Sequence, residues 1–177
     1  MSAPAAARFA RDARGAVAVE FCFVAPVMLA IFLGGYSASL AVQASRKVTV
    51  TTRALADLTT QFAAISSTDM SNVLNAATQI MAPFNATTLS MRVSQITTDA
   101  TGLRASVTWS SARVMNPYPQ GQAITLPAIM QSPNVSYVLS ETSYPYTSTI
   151  GFVPLSITIT DRIYMLPRLS TSINYTN

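Results

Sequence analysis

The sequence predicts an α+β protein: a long N-terminal transmembrane/amphipathic helix, a short second helix and a mainly antiparallel sheet of about four strands. Three observations support this prediction. The apolar run from 16 to 42 contains one charged residue, Glu20. Helical spacing then continues to about Ser66, and alternating apolar and polar residues follow Pro83. At 177 residues, the chain allows one membrane anchor and one modest domain.

We divide the chain into four segments. Residues 1–15 form a short basic leader, and residues 16–42 form a transmembrane helix. Such a helix needs about 20 apolar residues to cross a bilayer core. Residues 43–66 extend the same helix beyond the membrane, and residues 67–177 form the C-terminal α+β domain.

The helical extension shows one stripe of mainly apolar residues at alternating steps of three and four, which is a heptad seam. We expect its lower end to pack on the protein's own sheet and its upper end on neighbouring subunits. Off the seam, Arg53 and Asp57 are spaced to form an ion pair within the helix. The seam consists of Ala41, Ala44, Val48, Thr51, Leu55, Leu58, Phe62 and Ile65.

The C-terminal domain begins with a second helix. Ser66 and Asp69 are typical of a helix start, and Pro83 ends the element. Strands are expected around 89–93, 103–109, 135–139 and 155–165, with a hairpin turn at 99–102 and a loop from 116 to 133. The sheet should pack against Leu55, Leu58 and Phe62 of the helix through a core of Leu103, Val107, Trp109, Leu155, Ile157 and Ile159.

The composition argues against catalysis and against nucleic-acid binding. The chain has no histidine, its few carboxylates are scattered, and no glycine-rich phosphate loop occurs. We therefore predict no catalytic, cofactor-binding or metal-binding residues and no enzyme activity. Residues 16–177 contain eight basic and six acidic side chains, which is too small an excess for a nucleic-acid partner.

Glu20 is the residue that an ordinary anchor does not explain. A carboxylate inside an apolar run costs about 2.5–3.5 kcal/mol on insertion scales, so it requires a partner. Cleavage after Gly15 would give Ala16 a new α-ammonium group, four residues before Glu20. The carboxylate and the ammonium could then pair within one helix or between packed subunits.

This arrangement of Gly15, Ala16, Glu20 and Phe21 resembles the class III signal peptide of type IV pilins. The stretch Arg14-Gly15-Ala16-Val17-Ala18-Val19-Glu20-Phe21, followed by Val24-Ala25-Pro26, resembles more narrowly the TadE/TadF pseudopilins of the tight-adherence (Flp) pilus system. Residues 138–146 and 163–168 are similar to the last strand pair and the terminal Pro-Arg of that family.

The resemblance implies a pseudopilin, or minor pilin, that takes part in the assembly of Flp-type pili for surface adherence. It implies processing by a prepilin peptidase between Gly15 and Ala16, with Glu20 and Phe21 serving in processing and assembly. The implied partners are that peptidase, inner-membrane platform proteins, other pseudopilins and the major Flp pilin. The implied location is the bacterial inner membrane, single pass, with a cytoplasmic N-terminus and a periplasmic C-terminal domain that can enter an extracellular pilus.

The sequence leaves an alternative function open: a periplasmic binding or scaffold domain held by an uncleaved anchor or exported by an ordinary signal peptide. Small residues between Ser37 and Ala41 offer a site for signal peptidase. The apolar run, however, exceeds the 7–15 residues of a signal-peptide core. TadE and TadF are not separated, although a single sheet domain without a long insertion favours TadE.

Overall fold

The computed structural model describes residues 13–148 and 155–176, which excludes the predicted leader up to residue 12. The chain divides into two compact units. One contains residues 1–41 and 148–155, and the other contains residues 42–147 and 156–177. The first unit consists, in its described part, mainly of apolar helix. The second unit contains the two helical packing faces and most of the sheet.

Helix α1 runs from Ala13 to Thr60 and continues through Pro26. The helix therefore ends six residues before the predicted boundary at Ser66. At its end, the N–H groups of Gln61 and Phe62 donate to carbonyls three residues back, at 3.3 and 3.2 Å. This tightened last turn satisfies end groups that have no partner four residues away. The chain then becomes extended in strand β1, Ala64–Ser66.

Helix α2, Ser67–Gln79, begins where the sequence predicts. Its start is a capping box: the Ser66 hydroxyl accepts a hydrogen bond from the Asp69 N–H, and the Asp69 carboxylate accepts one from the Ser66 N–H. The helix has a polar outer face and buries Met70, Val73, Leu74 and Ala77. Spaced three or four residues apart, these side chains make one apolar face.

The main sheet has five strands rather than four, and a second sheet has two. The further strands are β2 Ser90–Thr98, β3 Ala105–Arg113, β4 Ala123–Ile124, β5 Ser136–Ser148, β6 Leu155–Met165 and β7 Asn174–Thr176. The main sheet has the order β4-β3-β2-β5-β6, with β2 antiparallel to both β3 and β5. The second sheet pairs β1 in parallel with β7. The α+β class and the mainly antiparallel pairing are therefore confirmed, and the strand number is corrected.

A β-bulge between β2 and β3 divides the predicted core between two faces. Gln95 lies opposite Trp109, and Ile96 lies opposite Val107. Successive residues of a strand point to opposite faces, so the bulge places Trp109 and Val107 on different sides of the sheet. Ile96 belongs to a core on the side covered by the 116–133 loop, together with Ala105, Leu126, Tyr137 and Leu139.

Trp109 lies against the segment that leads into β7. Its indole N–H donates to the Ile173 carbonyl at 2.9 Å, and its ring stacks on Tyr175 at 5.1 Å between centroids. Gln95 completes the contact by accepting a hydrogen bond from the Ile173 N–H at 2.7 Å. The predicted burial of Trp109 and Val107 is confirmed.

Two other predicted core residues are exposed. Leu103 lies in the turn before β3 and is 73% exposed, and Ile157 is 40% exposed. Ile159 is half-buried, and the side chain of Leu155 lies outside the described residues. Strand β6 is at the edge of the sheet, so alternation of apolar residues there does not by itself produce burial.

Candidate assembly site on the apolar helix

The apolar part of α1 carries its large side chains on the outside of the protein. Among the residues between 17 and 36, Phe21, Phe23, Ile31 and Phe32 are each exposed by about two thirds or more. By length and composition the helix is able to span a membrane, and none of its most apolar segment is buried against the protein. An exposed apolar surface of this extent fits a single-pass membrane anchor.

The predicted processing and assembly residues lie at the start of this surface. Gly15 is in the first turn of α1, and a Cβ atom added to it would meet no atom within 4 Å. Glu20 and Phe21 are exposed on the following turn. The backbone of Ala16 is helical and its side chain lies outside the described residues. Positions 16 and 20 are therefore neighbours on one helix face.

Other features of this segment permit close approach by another helix. The positions of Gly34 and Gly35 have no atom within 4 Å of an added Cβ, so their surface is open within this chain. The helix passes Pro26 without ending. Cys22 is exposed and is not in a disulfide. The segment therefore offers an exposed apolar surface and one carboxylate, that of Glu20, to a neighbouring helix.

The lower part of α1 packs through a seam that agrees with the prediction in part. Val48 and Leu55 are fully buried, whereas Leu58 is 37% exposed. Phe62 is half-buried and Ile65 is fully buried, but both lie beyond the end of the helix, Ile65 in β1. The predicted helix seam therefore does not extend to these two residues.

The buried face of α1 includes threonines that the heptad pattern does not assign. Thr52 donates to the Val48 carbonyl at 2.9 Å, and its hydroxyl lies 2.5 Å from that of Thr142 on β5. Thr59 donates to the Leu55 carbonyl at 2.8 Å. Because these hydroxyls are hydrogen-bonded, they can be buried at little cost. Thr52 and Thr59 are seven residues apart, and this heptad spacing is the feature of the sequence that could have assigned both to the buried face.

The end of α1 is tied to the segment that follows β6. The Arg168 guanidinium pairs with Asp57, and the Arg168 N–H donates to the Thr60 carbonyl at 3.0 Å. Asp57 also accepts from the side-chain amide of Gln61 at 2.9 Å. The predicted pair of Arg53 with Asp57 is therefore wrong, because Arg168 from a distant segment takes its place. The Pro-Arg pattern noted in the sequence is thus an anchor for the helix end.

A second charged cluster lies on the sheet. Arg92 donates to Glu141 from two nitrogens, at 2.7 and 2.9 Å, and its guanidinium lies 3.4 Å from the centre of the Tyr118 ring. Burial, followed by the negative charge of Glu141, raises the pKa of the Tyr118 hydroxyl. Arg92 also donates to the Asn116 carbonyl at 3.1 Å. These mutual contacts attach the loop to β2 and β5, which is a structural role.

A metal centre held by the protein would need several ligand side chains in one place. Within 13–148 and 155–176, no three histidine, cysteine, aspartate or glutamate side chains come together in a way that could hold a metal ion.

Comparison with protein families gives a match in the N-terminal part of the chain. Residues 15–57 match the family described as TadE-like protein, which covers 43 of the 177 residues. The matched segment begins at Gly15, includes the whole exposed apolar surface and ends at Asp57. The resemblance inferred from the sequence is thereby confirmed for this segment, and it indicates involvement in a Tad pilus system. Comparison with curated proteins and with solved structures gives no match.

Proposed function

We propose that this chain is a minor pilin that takes part in the assembly of Flp-type pili after a prepilin peptidase has cut the Gly15–Ala16 bond. One observation supports this proposal above others. The TadE-like match begins at Gly15 and coincides with an apolar helix whose side chains are exposed and whose one charged residue is Glu20. The proposed role is that of a structural subunit rather than an enzyme.

In this proposal, the exposed apolar surface first holds the subunit in the inner membrane, with its N-terminus in the cytoplasm and its second unit in the periplasm. The same surface then packs against other pseudopilins and the major pilin, while platform proteins of the inner membrane act on the assembly. Glu20 would offset the α-ammonium group of Ala16 in an adjacent subunit. Losing one partner of such a buried pair costs about 3–5 kcal/mol.

The competing role is a periplasmic binding domain on a simple anchor or behind an ordinary signal peptide. Helix α1 continues without interruption through residues 37–41, where a signal peptidase would need to cut. The two roles also differ in what they require of Glu20. For a simple anchor, a carboxylate near one end of the helix is a small liability, and its loss is neutral or favourable.

The test compares Glu20→Ala and Glu20→Gln with Cys22→Ala. Both positions are in one exposed stretch of α1, but only Glu20 carries charge. We expect both Glu20 variants to be inserted and cleaved, yet to lose co-purification with other pilins and support for surface fibres. The glutamine variant keeps the size and removes the charge, so it should fail nearly as severely as the alanine variant.

The control variant Cys22→Ala should retain wild-type association, because it removes only a small apolar group. Wild-type pilin association and adherence in both Glu20 variants would contradict the proposal and favour the anchored domain. A loss of association by Cys22→Ala to the same degree would also contradict it, because the effect would then not depend on the carboxylate.

A further inference from the structure

A group of cations follows directly after the apolar run of α1. The run ends at Val42, and the next turn contains Gln43, Arg46 and Lys47. Arg46 is exposed and Lys47 is half-buried. Since they are four and five residues beyond Val42, they lie within about two helical turns of the last apolar residue. Cations at such a position in a membrane helix reach the headgroup layer.

This turn of α1 forms one wall of a cleft of about 270 Å³. The opposite wall comes from the segment after α2. The Phe84 ring packs edge-on against Tyr146, with 6.3 Å between centroids, and Tyr146 is buried. The buried Tyr146 ring therefore fixes the position of the Phe84 ring in this wall. The residues that line this juxtamembrane cleft are Gln43, Arg46, Lys47, Val50, Pro83 and Phe84.

The two cations of the juxtamembrane cleft have no partner within the described part of the chain. The ion pairs found there join Arg92 to Glu141 and Arg168 to Asp57. The side chains of Arg46 and Lys47 make no hydrogen bond or ion pair with any described residue. Two adjacent positive charges are therefore free to bind an anion from outside the protein.

We propose that the juxtamembrane cleft binds the headgroup of an anionic phospholipid from the surrounding membrane. Three properties of the cleft fit this occupant. Arg46 and Lys47 match the phosphate charge, and the amide of Gln43 offers a hydrogen bond to the glycerol region. Val50, Pro83 and Phe84 form an apolar wall on which the CH and CH₂ groups of the glycerol can pack, a contact that a free phosphate ion cannot make. The site is also continuous in sequence with the apolar run.

The proposal requires a membrane around the helix but does not depend on the role in pili. A subunit that fails to associate with pilins can still bind the lipid. A subunit that fails to bind the lipid can still associate with pilins. Juxtamembrane basic residues contribute about fivefold each to binding at an anionic surface. We therefore expect about a 30-fold loss of affinity for the anionic lipid when both cations are neutralised.

The experiment uses the full chain in a nonionic detergent and titrates it with phosphatidylglycerol or phosphatidylcholine, with native mass spectrometry to count bound lipid. Arg46→Gln should weaken phosphatidylglycerol binding about fivefold, and Arg46→Gln with Lys47→Gln about 30-fold. Arg53→Gln is the matched control, because Arg53 is exposed on the same helix but lies outside the cleft. Its effect should stay below about twofold.

Three results would overturn the proposal: equal affinity of the wild type for the two lipids, unchanged binding by the double variant, or an Arg53→Gln loss equal to that of Arg46→Gln. Inorganic phosphate provides a further arm. Displacement of the lipid by phosphate at equal concentration would assign the cleft to a free anion instead. Circular dichroism should show similar melting temperatures for all variants, since the replaced side chains make no hydrogen bond or ion pair with the described residues.

Discussion

At Gly15, a side chain would meet no steric obstacle within the chain, so any effect of a substitution there on processing would come from recognition by another protein. An added Cβ atom meets nothing within 4 Å at either Gly15 or Gly34, and both glycines are in α1. Leucine at either position is therefore compatible with the fold and is a better helix former than glycine. A peptidase that reads the bond after Gly15 closely has little room for a side chain. We expect Gly15→Leu, but not Gly34→Leu, to accumulate as full-length precursor.

Intact mass measurement of the membrane fraction gives the result directly. The wild type and Gly34→Leu should lack residues 1–15, and Gly15→Leu should retain them. A mature N-terminus between Ser37 and Val42 would contradict processing at Gly15 and favour an ordinary signal peptide.

Removing the side chain of Trp109 should destabilise the second unit strongly. It is 8% exposed, donates its indole N–H to Ile173 and stacks on Tyr175. Trp109→Ala should lower the free energy of unfolding by about 3–5 kcal/mol. Leu103→Ala is the control, because Leu103 is 73% exposed and should change stability by less than about 0.5 kcal/mol. Thermal unfolding followed by circular dichroism compares them, and equal stability of the Trp109 variant and the wild type would show that the contact to Ile173 is dispensable.

At the scale of the elements, α1 shows why a heptad pattern locates a helix better than it locates the buried face. A heptad repeat drifts by about 20° per seven residues on a straight helix of 3.6 residues per turn. The seam therefore predicts Val48 and Leu55 correctly and moves off the buried face by Leu58. Thr52 and Thr59 take that face, and each lies one residue beyond a position of the seam, Thr51 and Leu58.

The register of α1 can be tested with two leucines three residues apart. Leu55 is fully buried, and Leu58 is 37% exposed. Leu55→Ala should lower the free energy of unfolding by about 2–5 kcal/mol, and Leu58→Ala by no more than about 1 kcal/mol. Chemical denaturation of the detergent-solubilised chain measures both values. A larger loss for Leu58 than for Leu55 would show that the helix is rotated relative to the structure.

The hairpin turn between β2 and β3 is fixed by a close contact with a second loop. Gly102 has φ of +76°, and an added Cβ would lie 3.0 Å from backbone atoms of Ser132 and Pro133. Gly121 has φ of +81° but open surroundings. Alanine at either position costs about 1–2 kcal/mol for the left-handed backbone. Only Gly102→Ala adds a clash, which should lower stability by a further 1–3 kcal/mol or so.

Comparison of the melting temperatures of Gly102→Ala and Gly121→Ala isolates the clash, since the backbone cost is shared. Equal losses in the two variants would mean that the 131–133 loop moves aside freely. Asp99 supports the same turn by accepting hydrogen bonds from the N–H and hydroxyl of Thr101, at 3.1 and 2.7 Å. The hydroxyl contact is the main reason that the pKa of the Asp99 carboxyl is lowered.

At the scale of the whole molecule, the fold class can be predicted from the sequence because it depends on long segments with a regular spacing of apolar residues. The start of α2 is readable because its capping box is local. Strands β1, β4 and β7 have two or three residues each, which is too short to show alternation. Their existence depends on pairing between distant segments, as does the contact of Arg168 with Asp57. The candidate assembly residues are readable because they form one contiguous stretch.

The division into two units gives a prediction for the shortened chain. Among the described residues, all buried apolar side chains belong to the second unit, and the large exposed apolar side chains between 17 and 36 belong to the first. A chain beginning at Val42 should therefore fold and stay in solution without detergent. Size-exclusion chromatography and a cooperative circular dichroism transition would confirm this. An aggregated or unfolded fragment would show that the second unit needs the first for stability.

The parallel pairing of β1 with β7 also determines how long β1 remains unpaired while the chain is being synthesised. Ile65 leaves the ribosome 110 residues before Tyr175, its partner in the register. At a translation rate of about 5–20 residues per second, that interval lasts roughly 5–20 seconds. Throughout it, the edge of β1 is unpaired, and from its own synthesis 66 residues before Tyr175 the ring of Trp109 also lacks its stacking partner. Slow codons between these strands would lengthen the period in which a chaperone is needed, without altering a single residue of the finished protein.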